Sequence, residues 1–383
     1  ELQPPVMLLR LSPGVGLSTA VLVQMTFTGM RFVGGKTEIQ VAANLTASSW
    51  LVRDVQGSPR LSTARCRVAL LSARTHLPPR ALPQFRSKSL SSTLQKVLPS
   101  LLCPAVDMVL GLVNAKFTTM TATIPLGTAG TLRYALLNPP TTSETFIQLD
   151  LKTVLCSKEG EEVAPPTEQP PLTSLPPKRD AASQLILSAS FLSAELSVMQ
   201  ASFDLNISNN MVLGLPPLVT TTLRALIPEI STVLPPSQPV VIEMREAKPP
   251  LVTIAPDKST VHLFSTAAFW AASRSSAPGS LFVLDVHTEL GAQFAVAEER
   301  LQFSLTLDRL TQVAVANSSV GTFDELPLRG VLADIIHVAY VPSINRALRG
   351  GVPLPPLLGS PYQRVELGWL QDGLVLDVPI TEP

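Results

Sequence analysis

A chain of 383 residues has room for two or three domains and a substantial core. Apolar residues are 45 %, aromatics 5 % and charged residues 15 %, with a mean hydropathy of +0.30, so any interior is built from Leu, Val, Ile and Ala. No uninterrupted apolar run reaches the ~18 residues that mark a membrane span, so no span is expected; the excess apolar content is left for a Leu/Val-rich core or an internal lipid cavity. The balanced total charge hides a split. Residues 1–160 hold 16 Lys and Arg against 7 Asp and Glu, a net +9, and residues 161–383 hold 13 against 22, a net −9.

In chain order, strand-like PVMLLRLSP comes first. TAVLVQMTFTGMRFV and TEIQVAANLTASSWLV then flank Gly34-Gly35, a hairpin signal. GMRFVGGKT within it imitates a phosphate-binding loop but fails: five residues, not four, separate its first Gly from Gly-Lys, and no helix follows. Residues 53–96 carry nine basic side chains against Asp54 alone, which favours an anionic partner or a solvated face. Nucleic acid is not the expected partner, because only Phe85 interleaves this stretch for stacking. Leu94, Val97, Leu98, Leu101 and Leu102 then recur at helical spacing, followed by PLG, YALLN from Tyr134 and FIQLDLKTV from Phe146.

EGEEVAPPTEQPPLTSLPPKRD, residues 159–180, reads as a linker, because its prolines exclude helix and central strand. SQLILSASFLSAELSVMQASF reads as helix, and LVTTTLRALIPEI as helix up to Pro228. Residues 240–316 form a succession of strands. In RLQFSLTLDRL, Leu301, Phe303, Leu305 and Leu307 make a dry face and Gln302, Ser304, Thr306 and Asp308 a wet one; in SLFVLDVHTEL the apolar face holds Phe282, Leu284, Val286 and Leu290. A second helical stripe, Leu328, Val331, Leu332, Ile335, Ile336 and Ala339, precedes a Pro-rich turn and the strands YQRVELGWL and LVLDVPI.

This last plan repeats the earlier one. Pro125 to Tyr134 and Pro353 to Tyr362 are both 9 residues, and the two units are offset by 228, too long for a solenoid repeat and right for duplicated domains. Each half is antiparallel sheet plus long helices, an α+β fold. The expected division is 1–160, a linker 161–180, and 181–383. Because the helical region 183–227 has no counterpart in the first half, that half is expected to continue some 50–70 residues upstream of Glu1.

Catalytic constellations are scarce. His76, His262, His287 and His337 stand apart, no HExxH, GxSxG or CxxC occurs, and an enzyme, a serine esterase with a spatially assembled triad, is the minor alternative. Cys66, Cys103 and Cys156 allow at most one internal disulfide and have no metal-ligand spacing; no cofactor motif is present. Sequons at Asn44, Asn206 and Asn317 favour secretion, and the chain opens at Glu1 as a processed product would.

LFVLDVHTEL, LTLDRLTQVAVANSSVGTF and VPSINRALRGGVPLPPL, with the two-strand finish, resemble the family of bactericidal/permeability-increasing protein and lipopolysaccharide-binding protein, which includes airway and egg members. The likeness covers nearly the whole chain, and within the family the egg-white branch is the expected neighbour. The resemblance implies an elongated boomerang of two similar domains, each a twisted antiparallel β-barrel with long helices, joined by a central sheet. It implies a disulfide between Cys66, in TARCRVALL, and Cys103, in LPSLLCPAVDM, with Cys156 left over. It also implies a secreted, antibacterial lipid-binding protein taking phospholipid or another acyl-chain lipid, with lipid transfer as the rival role. The expected pocket residues are Leu98, Leu102, Val106 and Val109 in the first half and Leu332, Ile335, Ile336 and Val338 in the second. Arg74, Arg80, Arg86 and Lys88 are expected to meet anionic bacterial surface lipid. Because the first half is only moderately basic and Arg-weighted where the antibacterial archetype is Lys-rich, lipopolysaccharide neutralisation is not carried over.

Overall fold

The computed structural model describes residues 6–13, 16–30, 36–75, 84–164, 172, 175–178, 182–271, 279–358 and 361–379. The chain divides into two compact units, residues 1–122 with 134–152, and residues 123–133 with 153–383.

The first unit opens with a four-stranded antiparallel meander: β1 Val6–Ser12, β2 Gly16–Met30, β3 Lys36–Arg53 and β4 Pro59–Thr75, in the order β1-β2-β3-β4. β2 and β3 pair out to Met30↔Lys36, as the hairpin signal requires, although Gly34-Gly35 itself lies outside the described residues. Alternation decides the faces. Val41, Ala43, Leu45, Ala47 and Leu51 are buried, while their even-numbered neighbours point the other way. Two bulges, at Ala42/Ala43 and Ser48/Ser49, reset β4 against β3 so that Leu61, Cys66 and Val68 share the buried side. The turn between β3 and β4 closes on Asp54, whose carboxylate accepts from the amides of Gln56 and Ser58 at 2.9 and 2.7 Å. Gly57 sits there at φ +85°, where an added Cβ would also press on Ala135 at 3.1 Å.

Helix α1, Gln84–Met120, crosses this sheet. Its contact row is Leu94, Leu98, Leu102, Val106 and Leu110, then Val113, Phe117 and Met120. Two side-chain amides and a disulfide fix it to β4, an outer strand. The Asn114 amide accepts from Leu61 N at 2.7 Å and donates to Leu61 O at 2.8 Å. Gln95 does the same with Leu70 N and Val68 O at 3.0 and 2.8 Å. Cys66 is bonded to Cys103, with Cα atoms 5.9 Å apart, and Cys156 is a free thiol. Side-chain amides thus occupy backbone groups that an edge strand would leave open.

Short strands follow: β5 Thr123–Leu126, β6 Gly130–Leu136, β7 Thr141–Thr142, β8 Ile147–Gln148, β9 Leu151–Ser157 and β10 Glu162–Val163. β5 pairs with β6 (Ile124↔Leu132), β7 with β8, and β9 with β10 (Cys156↔Glu162). FIQLDLKTV is therefore two strands and not one. The Pro-rich stretch contains only the two-residue edge strand β10 among its described residues.

In the second unit the segment expected to be wholly helical splits. Its first part is strand β11, Ala182–Ser188, which pairs with β19, Gly373–Pro379, as Leu185↔Leu376. Ser188 then caps α2, Ala189–Met199, accepting from Phe191 N at 3.1 Å. α2 is buried on nearly all sides, with Leu192, Ala194, Glu195 and Leu196 at 0–1 % exposure. β12 Leu205–Ile207 and α3 Thr220–Leu226 lead into the main sheet. That sheet is β13 Val240–Ile254, β14 Ser259–Ala271, β15 Phe282–Ala297 and β16 Arg300–Ser318, in the order β12-β13-β14-β15-β16-β17 with β17 at Val352–Pro353. Leu301, Phe303 and Leu305 are buried and Gln302, Ser304 and Thr306 exposed, the alternation read from the sequence. Helices α4 Leu326–Ile335 and α5 Val341–Ala347 are joined through a π-turn, Ile336–Tyr340, and β18 Glu366–Leu370 pairs with β19.

The duplication extends to the polar devices. Asn345 accepts from Leu305 N and donates to Leu305 O, both at 2.8 Å, and Arg329 donates to Leu310 O at 2.5 Å. Each unit therefore docks its helix on its long outer strand by the same amide clamp, Asn114 on Leu61 and Asn345 on Leu305.

Candidate functional site

The second unit holds a narrow apolar crevice of about 20 Å³. One wall is α3 and its approach, with Leu218 and Leu223; the other is α4, with Leu328, Leu332 and Ile335; Phe269 of β14 also lines it. Thr222 is the one polar residue of the lining, and its hydroxyl already donates to Pro217 O at 2.7 Å. The crevice offers contact area and no group for bond-making.

Two of the four expected second-unit residues, Leu332 and Ile335, line it; Ile336 is fully buried behind them. Val338 is 38 % exposed and does not line the crevice. The wider π-turn carries Ile336, Ala339 and Tyr340 inward and leaves His337 and Val338 outside. Leu218, Leu223 and Phe269 were missed, although the apolar spacing of LVTTTLRAL marks the first two.

Beside the π-turn, a buried carboxyl is gripped. Glu246 stands at a bulge of β13, and its Oε1 accepts from Ser265 Oγ and Tyr340 Oη, both at 2.6 Å. Burial raises the Glu246 pKa against the pull of these two hydrogen bonds, and burial together with the neighbouring Glu246 raises that of Tyr340. Glu195 on α2 is more extreme. Neither carboxyl oxygen has a hydrogen-bond partner, and burial pushes it up to about 8. Glu289 is the reverse case, held down at about 2 by hydrogen bonds from Lys258 and Arg309. Of the described histidines, His287 stands edge-on to Phe264 with ring centres 5.1 Å apart, and none lines the crevice.

In the first unit, Leu98 is buried against Val21, Val41, Ala43, Leu45 and Val68, with Leu102 and Val106 packed beside it. Val109 is 51 % exposed and does not belong to this row. The row follows i, i+4 steps from Leu94 to Leu110, and each such step turns about 40° round the helix, so the inward face drifts as α1 crosses the sheet. Val97 and Leu101 also face outward. Ser89–Met120 has an 18-residue window of mean hydropathy 1.7, so by length and composition alone it is apolar enough to cross a bilayer. Ser100 and Asp107 interrupt the apolar run without lowering its average far. Arg74 is exposed at the end of β4; Arg80 and the side chains of Arg86 and Lys88 lie outside the described residues.

These features define a class: two α+β units, each a long antiparallel meander carrying a helix clamped to its outer strand, one of them with an apolar crevice. The chain belongs to the LBP / BPI / CETP family, whose N-terminal domain matches residues 1–114 and whose C-terminal domain matches residues 127–381. It is 41 % identical over 382 residues to BPI fold-containing family B member 6 of Homo sapiens, covering 99 % of this chain and 84 % of the relative. BPI fold-containing family B member 4 of Homo sapiens is 34 % identical over 384 residues, with 98 % and 62 % covered. The crystal structure of lipopolysaccharide binding protein shares the fold, with a TM-score of 0.56 at 20 % identity over 99 % of this chain and 85 % of that one. The egg-white branch finds no support in these relatives.

Proposed function

We propose that the protein is a secreted, non-enzymatic lipid-binding protein of innate defence that holds phospholipid-like or bacterial acyl chains in apolar pockets. The crevice between α3 and α4 carries this reading. Its lining suits a hydrocarbon, and its enclosed space of about 20 Å³ means that an acyl chain enters by parting α3 from α4. Each methylene buried contributes about 0.8 kcal/mol, which offsets the separation of the two walls that a chain requires. In the first unit the same reading requires the Leu98, Leu102 and Val106 row, packed on the sheet, to part from it for lipid to enter. The exposed sequons Asn206 and Asn317 favour a secretory route, and Asn44, half-buried on β3, is the poorer acceptor.

The test is to narrow the site. Ile335→Trp, on the crevice wall, should lower the phospholipid that co-purifies with the folded protein, and Val106→Trp should do so for the first unit. Undiminished lipid in both folded variants would show that these residues are packed core and would remove the crevice as the site.

A further inference from the structure

The outward face of the second unit's main sheet puts two sequons on one line. Ile242, Met244, Phe269, Phe282 and Leu284 are buried, so their alternate neighbours on β13, β14 and β15 face away from the core. Following the pairing from strand to strand gives Asn206↔Glu243, Glu243↔Ala268, Ala268↔Val283 and Val283↔Asn317. Residues directly opposite share a face, so Asn206 on β12 and Asn317 on β16 stand at the two ends of a single row. At ordinary strand spacing they are about 19 Å apart. Both asparagines are exposed, and they open the sequences Asn206-Ile207-Ser208 and Asn317-Ser318-Ser319.

The two ends are not alike. Beside Asn206 is a polar pocket of about 110 Å³, lined by Asp204, Asn206, Glu243 and Arg245 together with Leu205 and Met244. It is several times roomier than the apolar crevice. Arg245 Nε donates to Glu243 at 2.7 Å, and its guanidinium reaches Asp204 at 3.5 Å, so these side chains hold one another in place round the asparagine. Arg245 still has 60 % of its side chain open to solvent. Asn317 instead lies beside Val283 and exposed Ala316, whose side chains offer a sugar no hydrogen bond.

We propose that Asn206 and Asn317 carry N-linked glycans and that the first sugar on Asn206 is seated in this pocket, which covers the outward face of the sheet with carbohydrate. It rests on the secretory reading and goes beyond it by assigning the modified residues and a bound position for the sugar. In the transfer, the asparagine amide nitrogen attacks the anomeric carbon of a polyprenyl-pyrophosphate-linked oligosaccharide. The new nitrogen–carbon bond replaces the carbon–oxygen bond to the pyrophosphate, the amide gives up one proton, and the polyprenyl pyrophosphate leaves. In the folded protein Arg245 then donates to the sugar's acetamido carbonyl, while Asp204 and Glu243 accept from its hydroxyls. A cation held by Asp204 and Glu243 fits less well, because one guanidinium is already paired with both carboxylates. β12 is also the edge of its sheet, so sugar on Asn206 hinders the addition of a foreign strand there.

The experiment expresses the whole chain behind a cleavable signal peptide in mammalian cells, so that it meets the transferase whatever its natural route. Glycopeptide mapping should find sugar on both Asn206 and Asn317. The folded protein is then treated with an amidase that cleaves between asparagine and the first sugar. Asn206 should be released about tenfold more slowly than Asn317, the worth of one or two hydrogen bonds, and the two rates should converge in unfolded protein. Arg245→Ala should bring the Asn206 rate up to that of Asn317. Should that variant fold poorly, Asp204→Ala, at an exposed position before β12, must raise the rate in part. Either asparagine left unmodified overturns the proposal and leaves the secretory reading standing. Equal release in the folded parent, or an Asn206 rate that neither variant moves, also overturns it. A chain that carries both glycans yet is retained inside the cell supports the proposal and fails the secretory reading alone.

Discussion

Glu195 makes the stability of the second unit depend on pH in a direction opposite to most carboxylates. It is 0 % exposed on α2 with no partner for either oxygen, so the folded state keeps it protonated up to about 8, against 4.5 for the free side chain. In that window the unfolded chain has released the proton and the folded chain has not. Stability is therefore fully present below 4.5 and is lost as pH rises toward 8, at about 1.4 kcal/mol per pH unit. Between about pH 5 and pH 7.5 this amounts to on the order of 3 kcal/mol. Glu195→Gln has no proton to lose and nearly the same volume. It leaves an amide buried without a partner, a cost that is the same at both pH values and cancels in the comparison. Urea unfolding of parent and variant at the two pH values gives the number. The parent should lose about 3 kcal/mol more than the variant on going from low to high pH. Equal losses would show that Glu195 is solvated or paired in the folded protein.

Further outcomes follow from the packing. Replacing Cys66 and Cys103 by Ala, which opens a loop closed across 37 residues, should cost about 3–4 kcal/mol of unfolding free energy, with the helix α1 amides losing hydrogen-exchange protection first. Asn345→Ala and Asn114→Ala each leave a strand amide and a carbonyl without their partner and should cost about 2 kcal/mol in denaturant titration, while Asn345→Ala leaves the first unit's protection pattern unchanged. Tyr340→Phe removes one of the two donors to Glu246 Oε1, so the Glu246 pKa should rise further, and in denaturant titrations at rising pH above 4.5 the loss of stability should continue to a higher pH in the variant than in the parent.

How far the sequence disclosed this depends on which period was being read. Strict alternation in β16 placed Leu301, Phe303 and Leu305 inside without ambiguity, because a strand's period is two and an error of phase exposes everything. The paired helix-then-strands plan disclosed the duplication, and Cys66 and Cys103 followed from the resemblance. Helix faces were less legible. On α1 a fixed angular stripe admits Val109, but the actual contact row winds with the twisted sheet; on α4 and α5 a π-turn breaks the phase at Val338. The strand-to-helix change at Ser188 was hidden because Leu185, Ile186 and Leu187 are compatible with both states, and only pairing with β19 decides between them. Leu218 and Phe269 are far apart in sequence and meet only in the fold. The amide clamps had no sequence signal at all, since an Asn on a helix says nothing of the strand it faces.

The central claim is that the apolar crevice carries a lipid. Mass spectrometry of an organic extract of the natively purified protein, alongside Ile335→Trp prepared in the same way, tests it most directly. The account predicts acyl-chain lipid in near-stoichiometric amount from the parent and a clear reduction from the variant. A parent protein that yields no lipid, and takes up none from phospholipid vesicles, would contradict it.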